Sequence, residues 1–599
     1  MSGLSSFDRP APSDNAGMAW TSDIAAELLR RFGVRYIAQN PGSSFGALHD
    51  SLVNYLGNDD PTMLLCLNEN QVVAIAQGYA KVTEEPMGCI MHSNVGLLAG
   101  TMSIYNAWCD RVPMIMLGAG GPADAARRVP WINWIHSSKD QGALIRHFTK
   151  WDAEPHSPQA MVEAMLRANI LTRQAPKGPV YICLDIGLQD AAVPEGFEFP
   201  DLARFGNAAS PEPSAEAIER AADLLVAARN PIIMAGRVSR RVEDWNNRIR
   251  LAELLGASVT TDLKTAAGFP TDHPLHVGLP GYHYREPQRK ATEEADVILG
   301  LDWMDFGGIL RFVYGNGPIR AKVIQCSVDS YVHNGWSMDH FSLPTADLPI
   351  LAEPDIVVRR LLAAVEARLK GKPAKWDGMP KPGSGASMEK IALATDPDAP
   401  ITPRGLGTAL DAARAKRKVC LARVPLGWVP EAYHFRDPLD YVGYDGGAGV
   451  GSGPGNAIGA ALALMGSDRI AAAVIGDGDF MQGASAFWTA AHYRIPALVI
   501  VANNRSHLND ELIQEKIAAR RGRSVENAWV GQRIDEPAVD HAAMARAQGV
   551  AAEGPVTRIG DLPQALERAF RVVEGGAPCV VDVVVRQRES ASSFAERKH

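Results

Sequence analysis

VIGDGDFMQGASAFWTAAHYRIPALVIVANN, residues 474–504, decides the reading of this chain. An apolar run enters Gly476-Asp477-Gly478. The apolar positions after it, Phe480, Ala484, Phe487, Trp488 and Ala491, recur near the helical period, so one helix is expected there. Pro496 opens a second apolar run that ends at Asn503-Asn504. Strand, helix, strand is the repeating unit of a parallel sheet, and such sheets bind ligands at the carboxyl ends of their strands. Both polar clusters fall at such ends. Glycines let a backbone approach a phosphate closely, and the first amides of the following helix are unpaired. Asp477 and Asn504, on two strand ends, offer oxygens to one hard cation. Mg²⁺ prefers that ligand type and bridges to phosphates.

The same alternation extends outward in both directions. Upstream, the helix signal SDIAAELLRRFG closes at Gly33, and short apolar runs stand at 62–67, 87–92, 112–118 and 178–186. A second series has its runs at 230–236, 257–262, 295–302 and 321–329. The third has them at 418–422, 469–479, 496–504 and 576–585. The expected fold class is α/β, as three doubly wound parallel-sheet domains over 18–193, 215–367 and 401–586. Pro- and Gly-rich linkers are expected over 194–214 and 368–400, a disordered lead over 1–17 and a polar tail over 587–599. KGPVYICLDI ends the first block and GGAPCVVDVVV the third, which hints at two related domains flanking a different one.

Composition narrows the function. The chain has 599 residues, 46% hydrophobic and 21% charged, which excludes wholesale disorder, collagen and coiled coil. Its net charge of −8 argues against sequence-independent nucleic-acid binding, so any anionic ligand must be held by a local site. Seven cysteines include no CxxC pair, and most sit in apolar runs, which reads as buried thiols of a reducing compartment. The N-terminus has no apolar core, and PALVIVA at 496–502 is far below the ~20 residues of a membrane span. A cytoplasmic protein with neither a membrane nor a nucleic-acid partner is the expectation.

GDG, then about two dozen residues, then NN resembles the thiamine diphosphate signature. The resemblance implies that Asp477, the Asn504 side chain and the backbone carbonyl of Ser506 ligate Mg²⁺. It places the diphosphate against Gly476, with the amides of Gly478 and Asp479 offered to it. Asp479 departs from the pattern, which has a small or hydroxyl residue there, so its carboxylate should point away from the phosphates. GGAGVGSGPGNAIGAALAL, 446–464, resembles the segment that receives the aminopyrimidine. Val450 then wedges between the two rings, and the Ala448 carbonyl meets the 4′-amino group. In LNENQVVAIAQGYAKVT, 67–83, Glu69 stands at a strand-to-helix junction with GYA nine residues on, which matches the acid that activates the cofactor. The three blocks match the order of the 2-oxo acid decarboxylase and acetohydroxyacid synthase superfamily: pyrimidine-binding, middle and diphosphate-binding domains. That likeness implies a homodimer as the minimum active unit, with a homotetramer common among relatives.

On the substrate side, the motifs are similar to those of benzoylformate decarboxylase. AQNPGSSFGALHDSL, 38–52, resembles its NPGS turn and puts Ser43 near the substrate carboxylate. The HS segment beginning at 92 puts His92 near the reacting carbon, where an imidazole can relay protons. Two stretches depart. LGLDWMDFGGIL, 299–310, lacks the second histidine of those enzymes. After NN, this chain offers His507, Asn509 and Asp510, either as pocket residues or as a polar loop. The leading expectation is decarboxylation of a 2-oxo acid substrate to an aldehyde, with or without carboligation. The alternatives are an acetohydroxyacid synthase-like carboligase, for which FAD in the middle domain finds no support in the residues, and a 2-hydroxyacyl-CoA lyase. In that lyase the middle domain would grip ADP and the tail would act as a lid. A non-catalytic relative would not need Glu69, Asp477 and Asn504 together.

Overall fold

The structure, a computed structural model, describes residues 4, 7–12, 17–329, 342–385 and 392–586. The expected polar tail lies outside the described residues, as does most of 1–17. Three parallel sheets form three α/β domains. The first contains β1 (Tyr36–Gln39), β2 (Thr62–Leu65), β3 (Met87–Met91), β4 (Met114–Gly120), β5 (Trp151–Ala153) and β6 (Pro179–Asp185), in the order β2-β1-β3-β4-β6-β5. The second contains β7 (Pro231–Ala235), β8 (Ser258–Thr261), β9 (Val297–Leu301), β10 (Lys322–Cys326) and β11 (Leu348–Ile350), in the order β11-β10-β9-β7-β8. The third contains β12 (Lys418–Arg423), β13 (Arg469–Gly476), β14 (Ala497–Asn503), β15 (Ala551–Val556) and β16 (Cys579–Val584), in the order β12-β13-β14-β16-β15.

The interior strands are apolar along their length because helices cover both faces of each sheet. The resemblance between the endings of the first and third blocks has a topological counterpart. In both sheets the last strand inserts beside the penultimate one, β6 between β4 and β5, and β16 between β14 and β15. The middle sheet is wired differently.

The first and third domains share one core. Val72, Val73, Ile75, Ala76 and Tyr79 of the 69–83 helix pack with Ile458, Ala460, Ala461 and Leu462 of the 453–464 helix. The two backbones nearly touch: a Cβ at Gly459 would sit 1.9 Å from the Ile75 carbonyl oxygen, and one at Gly78 would sit 2.1 Å from that of Asn456. Among the described residues no helix is long and apolar enough to cross a membrane.

Two expectations need correction. The helix expected from 480 to 491 is two helices, Asp477–Gly483 and Ala486–His492. The chain bends between them where Gly483 is pressed onto the Gly451 carbonyl and Pro454, a contact the apolar period does not record. The lead is also docked at the residues described. Leu4 is buried, the Phe7 ring meets Tyr493 edge-on, and the Asp8 carboxylate accepts from the Tyr493 hydroxyl. Asn58 of the first domain donates to the Asp8 carbonyl at 3.0 Å. A polar composition hid two apolar anchors.

Candidate active site

Adjacent strands β12, β13 and β14 end at Arg423, Gly476 and Asn503, so their carboxyl ends bring Arg423, Asp477 and Asn504 to one edge. Asp477 is 2% exposed. Its oxygens accept from backbone amides, Gly478 at 3.0 Å and Ser506 at 3.1 Å. Burial pushes its carboxyl above the ordinary value, and the amides pull it back. Among the described residues no cationic side chain bonds it. The Asn504 side-chain oxygen accepts from the Ser506 amide at 3.0 Å. The two asparagines divide their work: Asn503 turns inward and donates to Asp582 of β16 at 3.0 Å. Asn504 faces a cavity of ≈ 170 Å³ together with Asp477, Gly478, Ser506 and Val450. His507, Asn509 and Asp510 line the same cavity. The His507 ring lies so close to Gly478 that a Cβ there would stand 2.7 Å from its Cε1.

The Gly-rich loop closes one side. Ala448 holds a left-handed φ of 54°, and Val450 is 45% exposed on the cavity wall. The Asp479 carboxylate is turned into this loop, accepting from the amides of Gly451 at 2.7 Å and Gly453 at 3.1 Å. Its other oxygen pairs with Arg423 at 3.2 Å. Arg423 also pairs with Asp445 and lies 4.2 Å over the Tyr444 ring. These three buried charges anchor the loop. Arg423 had no motif to announce it, only a charged residue at the end of an apolar strand.

A second group forms in the first domain. Asn68 caps the 69–83 helix, its side-chain oxygen accepting from the Asn70 amide at 2.8 Å. Glu69 opens that helix, is 8% exposed, and carries no hydrogen bond or ion pair among the described residues. It lies against the Ser93–Cys109 helix, where a Cβ at Gly96 would come within 3.0 Å of its Oε1. His92 follows β3 and caps that helix. Burial lowers the His92 pKa, His136 lowers it further, and the charge of Glu69 raises it. Ser43, expected at the substrate, is exposed on the turn. The hydroxyl that meets His92 Nδ1, at 2.8 Å, belongs to buried Ser44. The turn gives the two serines different surroundings, which the pattern NPGSS does not show. His136, beside His92, was missed as well; it sits after a four-residue helix with no motif around it.

The two groups do not meet in one cavity. Glu69, Ser44 and His92 line no part of the space around Asp477 and Asn504.

Residues 19–144, 218–361 and 425–583 match the profiles described as Thiamine pyrophosphate enzyme, N-terminal TPP binding domain, central domain and C-terminal TPP binding domain. A probable acetolactate synthase large subunit of Methanocaldococcus jannaschii is 24% identical over 95% of this chain and 92% of its own. Benzoylformate decarboxylase of Pseudomonas aeruginosa is 26% identical over 91% of this chain and 95% of its own. The thiamine diphosphate-dependent 4-hydroxybenzoylformate decarboxylase of Rhodococcus jostii RHA1 shares the fold, with a TM-score of 0.75 at 23% identity over 96% of this chain and 100% of that one. Three profiles in chain order on three parallel-sheet domains place this chain in the thiamine pyrophosphate enzymes, among the carboxy-lyases and carboligases of the 2-oxo acid decarboxylase and acetolactate synthase group.

Proposed function

We propose that the chain decarboxylates a 2-oxo acid to an aldehyde, using thiamine diphosphate and Mg²⁺. The residues suit the metal and the cofactor. A buried carboxylate bonded by amides alone, Asp477, matches a site for a cation. Asp477, Asn504 and the Ser506 carbonyl would hold Mg²⁺, with the amides of Gly478 and Asp479 toward the diphosphate. Glu69, nearly buried and without a hydrogen-bond or ion-pair partner among the described residues, suits a donor to the pyrimidine nitrogen. When bound, the cofactor supplies the electron sink for the breaking C–C bond.

The observation that carries decarboxylation over ligation is His92. Its Nδ1 is occupied by Ser44, which leaves Nε2 for a proton donated to the carbon that has lost CO₂. The reading includes a homodimer, in which the Glu69–His92 group of one copy would meet the Asp477 cavity of the other. One observation favours a second reading, a lyase acting on an acyl-CoA. A cleft of ≈ 440 Å³ between the first and middle domains carries Arg111, Arg237, Arg240, Arg241, Arg359 and Lys264, and a phosphorylated ligand there would compete with the carboxylates of the same cleft, such as Glu84, Asp244 and Asp302, that pair with several of these cations. Purified protein given thiamine diphosphate and Mg²⁺ should release CO₂ and aldehyde from at least one member of a panel of aromatic and aliphatic 2-oxo acids. Aldehyde from 2-hydroxyacyl-CoA thioesters alone would select the second reading.

A further inference from the structure

A diphosphate needs positive surroundings, yet the Asp477 cavity carries buried negative charge. Asp477, Asp479 and Asp510 line it, the first two buried and the third exposed. Mg²⁺ would meet Asp477. Asp479 lies outside that ligand set, and its charge must be met by the chain itself. Among the described residues two arginines line the cavity, Arg423 and Arg586, and Arg586 is exposed. Arg423, 3% exposed, is the buried one.

The fold aims Arg423 at Asp479. Against β13, β12 carries an extra residue between Leu421 and Arg423, an irregularity of the kind that re-aims a side chain at a strand end. Arg423 Nη2 lies 3.2 Å from Asp479 Oδ2 and donates to the Tyr444 hydroxyl at 3.3 Å. Nη1 pairs with Asp445, which lines no part of the cavity. Asp445 also accepts from Ser452 and, at 3.3 Å, from Asn106 of the first domain. The second Asp479 oxygen, Oδ1, takes the amides of Gly451 and Gly453. Asp479 therefore does two separable things. It accepts hydrogen bonds from the Gly-rich loop, and it puts a negative charge on the cavity wall. An asparagine can do the first without the second.

We propose that Arg423 cancels the charge of Asp479 and in that way sets the affinity of the cavity for thiamine diphosphate. This rests on the reading of the cavity as the site of the cofactor's diphosphate. Arg423 is neither a metal ligand nor a catalytic residue; it acts through Asp479. Without it, a buried carboxylate would face the phosphates, and like charges repel far more strongly in a buried site than in water. The pair then has opposite signs of effect. Removing the cation weakens binding, and removing the anion strengthens it. A pair that only shaped the loop would weaken binding whichever member was removed.

The test is a titration of full-length apoprotein with thiamine diphosphate at saturating Mg²⁺, read by quenching of protein fluorescence. Arg423→Met should raise Kd by ~30-fold or more, the scale of a buried charge left unpaired. Asp479→Asn should lower Kd by ~3-fold. The double variant Arg423→Met/Asp479→Asn should bind ~10-fold or more tighter than Arg423→Met, because the two sites are coupled. Should melts of the apoproteins show that Arg423→Met does not fold, Asp479→Asn and the double variant carry the test, the latter expected within ~5-fold of wild type. Weaker binding in Asp479→Asn, wild-type Kd in Arg423→Met, or a double variant that binds no better than Arg423→Met overturns the proposal. Wild-type apoprotein that binds no thiamine diphosphate overturns the reading of the cavity as well, which separates that failure from a failure of Arg423 alone.

Discussion

Asp477 and Glu69 are both nearly buried carboxylates that lack a cationic side-chain partner among the described residues. Such groups are costly in a folded protein unless something else meets them, which is why they mark a site. Glu69→Gln keeps the volume and removes the acid. We expect thiamine diphosphate still to bind, followed by its fluorescence quench, while turnover falls by ~10²-fold. Turnover within a factor of two of wild type would remove Glu69 from the chemistry. Both residues were candidates in the sequence because each stands at a fixed spacing from a second motif, NN for Asp477 and GYA for Glu69. The bond between Ser44 and His92 was not legible, because it depends on the turn that carries the serine. His276 shows a different use of burial. It is fully buried, with Nε2 2.9 Å from the Thr261 hydroxyl, and burial holds its pKa down at about 3. The folded state keeps it neutral while the unfolded chain protonates it near 6.5. The stability it supports is therefore present above ~6.5 and lost as pH falls toward ~3, amounting to about 2 kcal/mol at pH 5. His276→Gln should flatten the fall in urea midpoint between pH 7 and pH 5 relative to wild type; an unchanged fall would show that His276 does not contribute.

Among the elements, the 69–83 and 453–464 helices bear most directly on the site. Glu69 opens the first, and the Gly-rich loop runs into the second. Their contact is backbone on backbone, at 1.9 Å from a Cβ at Gly459 to the Ile75 carbonyl oxygen. A carbonyl of a buried helix cannot swing away as a side-chain tip can. Gly459→Ala should therefore push the pair apart and cost about 3 kcal/mol, at the upper end of overpacking effects. Gly46→Ala, with nothing within 4 Å of the new Cβ, is the control. Thermal melts in which the two variants unfold together would show that the helices are not locked. The glycine runs were visible in the sequence as a flexible or ligand-binding loop. That they also serve close packing between domains was not visible, because it depends on which helix the fold lays across them. The break at Ala484 was equally hidden: the apolar period continues through it, while in the fold Gly483 lies against Gly451 and Pro454.

For the whole molecule, the alternation of strands and helices was enough to read three parallel sheets, because buried parallel strands are apolar throughout and short. It did not fix strand order, nor that the candidate site falls into two groups within one chain. The Asp477 cavity sits at the carboxyl edge of the third sheet, where its strands end, and Glu69 with His92 sits at the carboxyl edge of the first. A homodimer that pairs the two edges predicts a specific complementation. Chains carrying Glu69→Gln and chains carrying Asp477→Ala are co-expressed with different affinity tags, and the mixed dimer is purified through both. Each variant alone should be nearly inactive. In the mixed dimer, one site receives Glu69 from the Asp477→Ala chain and Asp477 from the Glu69→Gln chain, so it is intact; the other carries both substitutions. Activity per dimer should then be about half that of wild type, as two-fold symmetry requires when each site draws on both copies. If instead each chain completes its own site, both sites in the mixed dimer are damaged, and it will be as inactive as its parents.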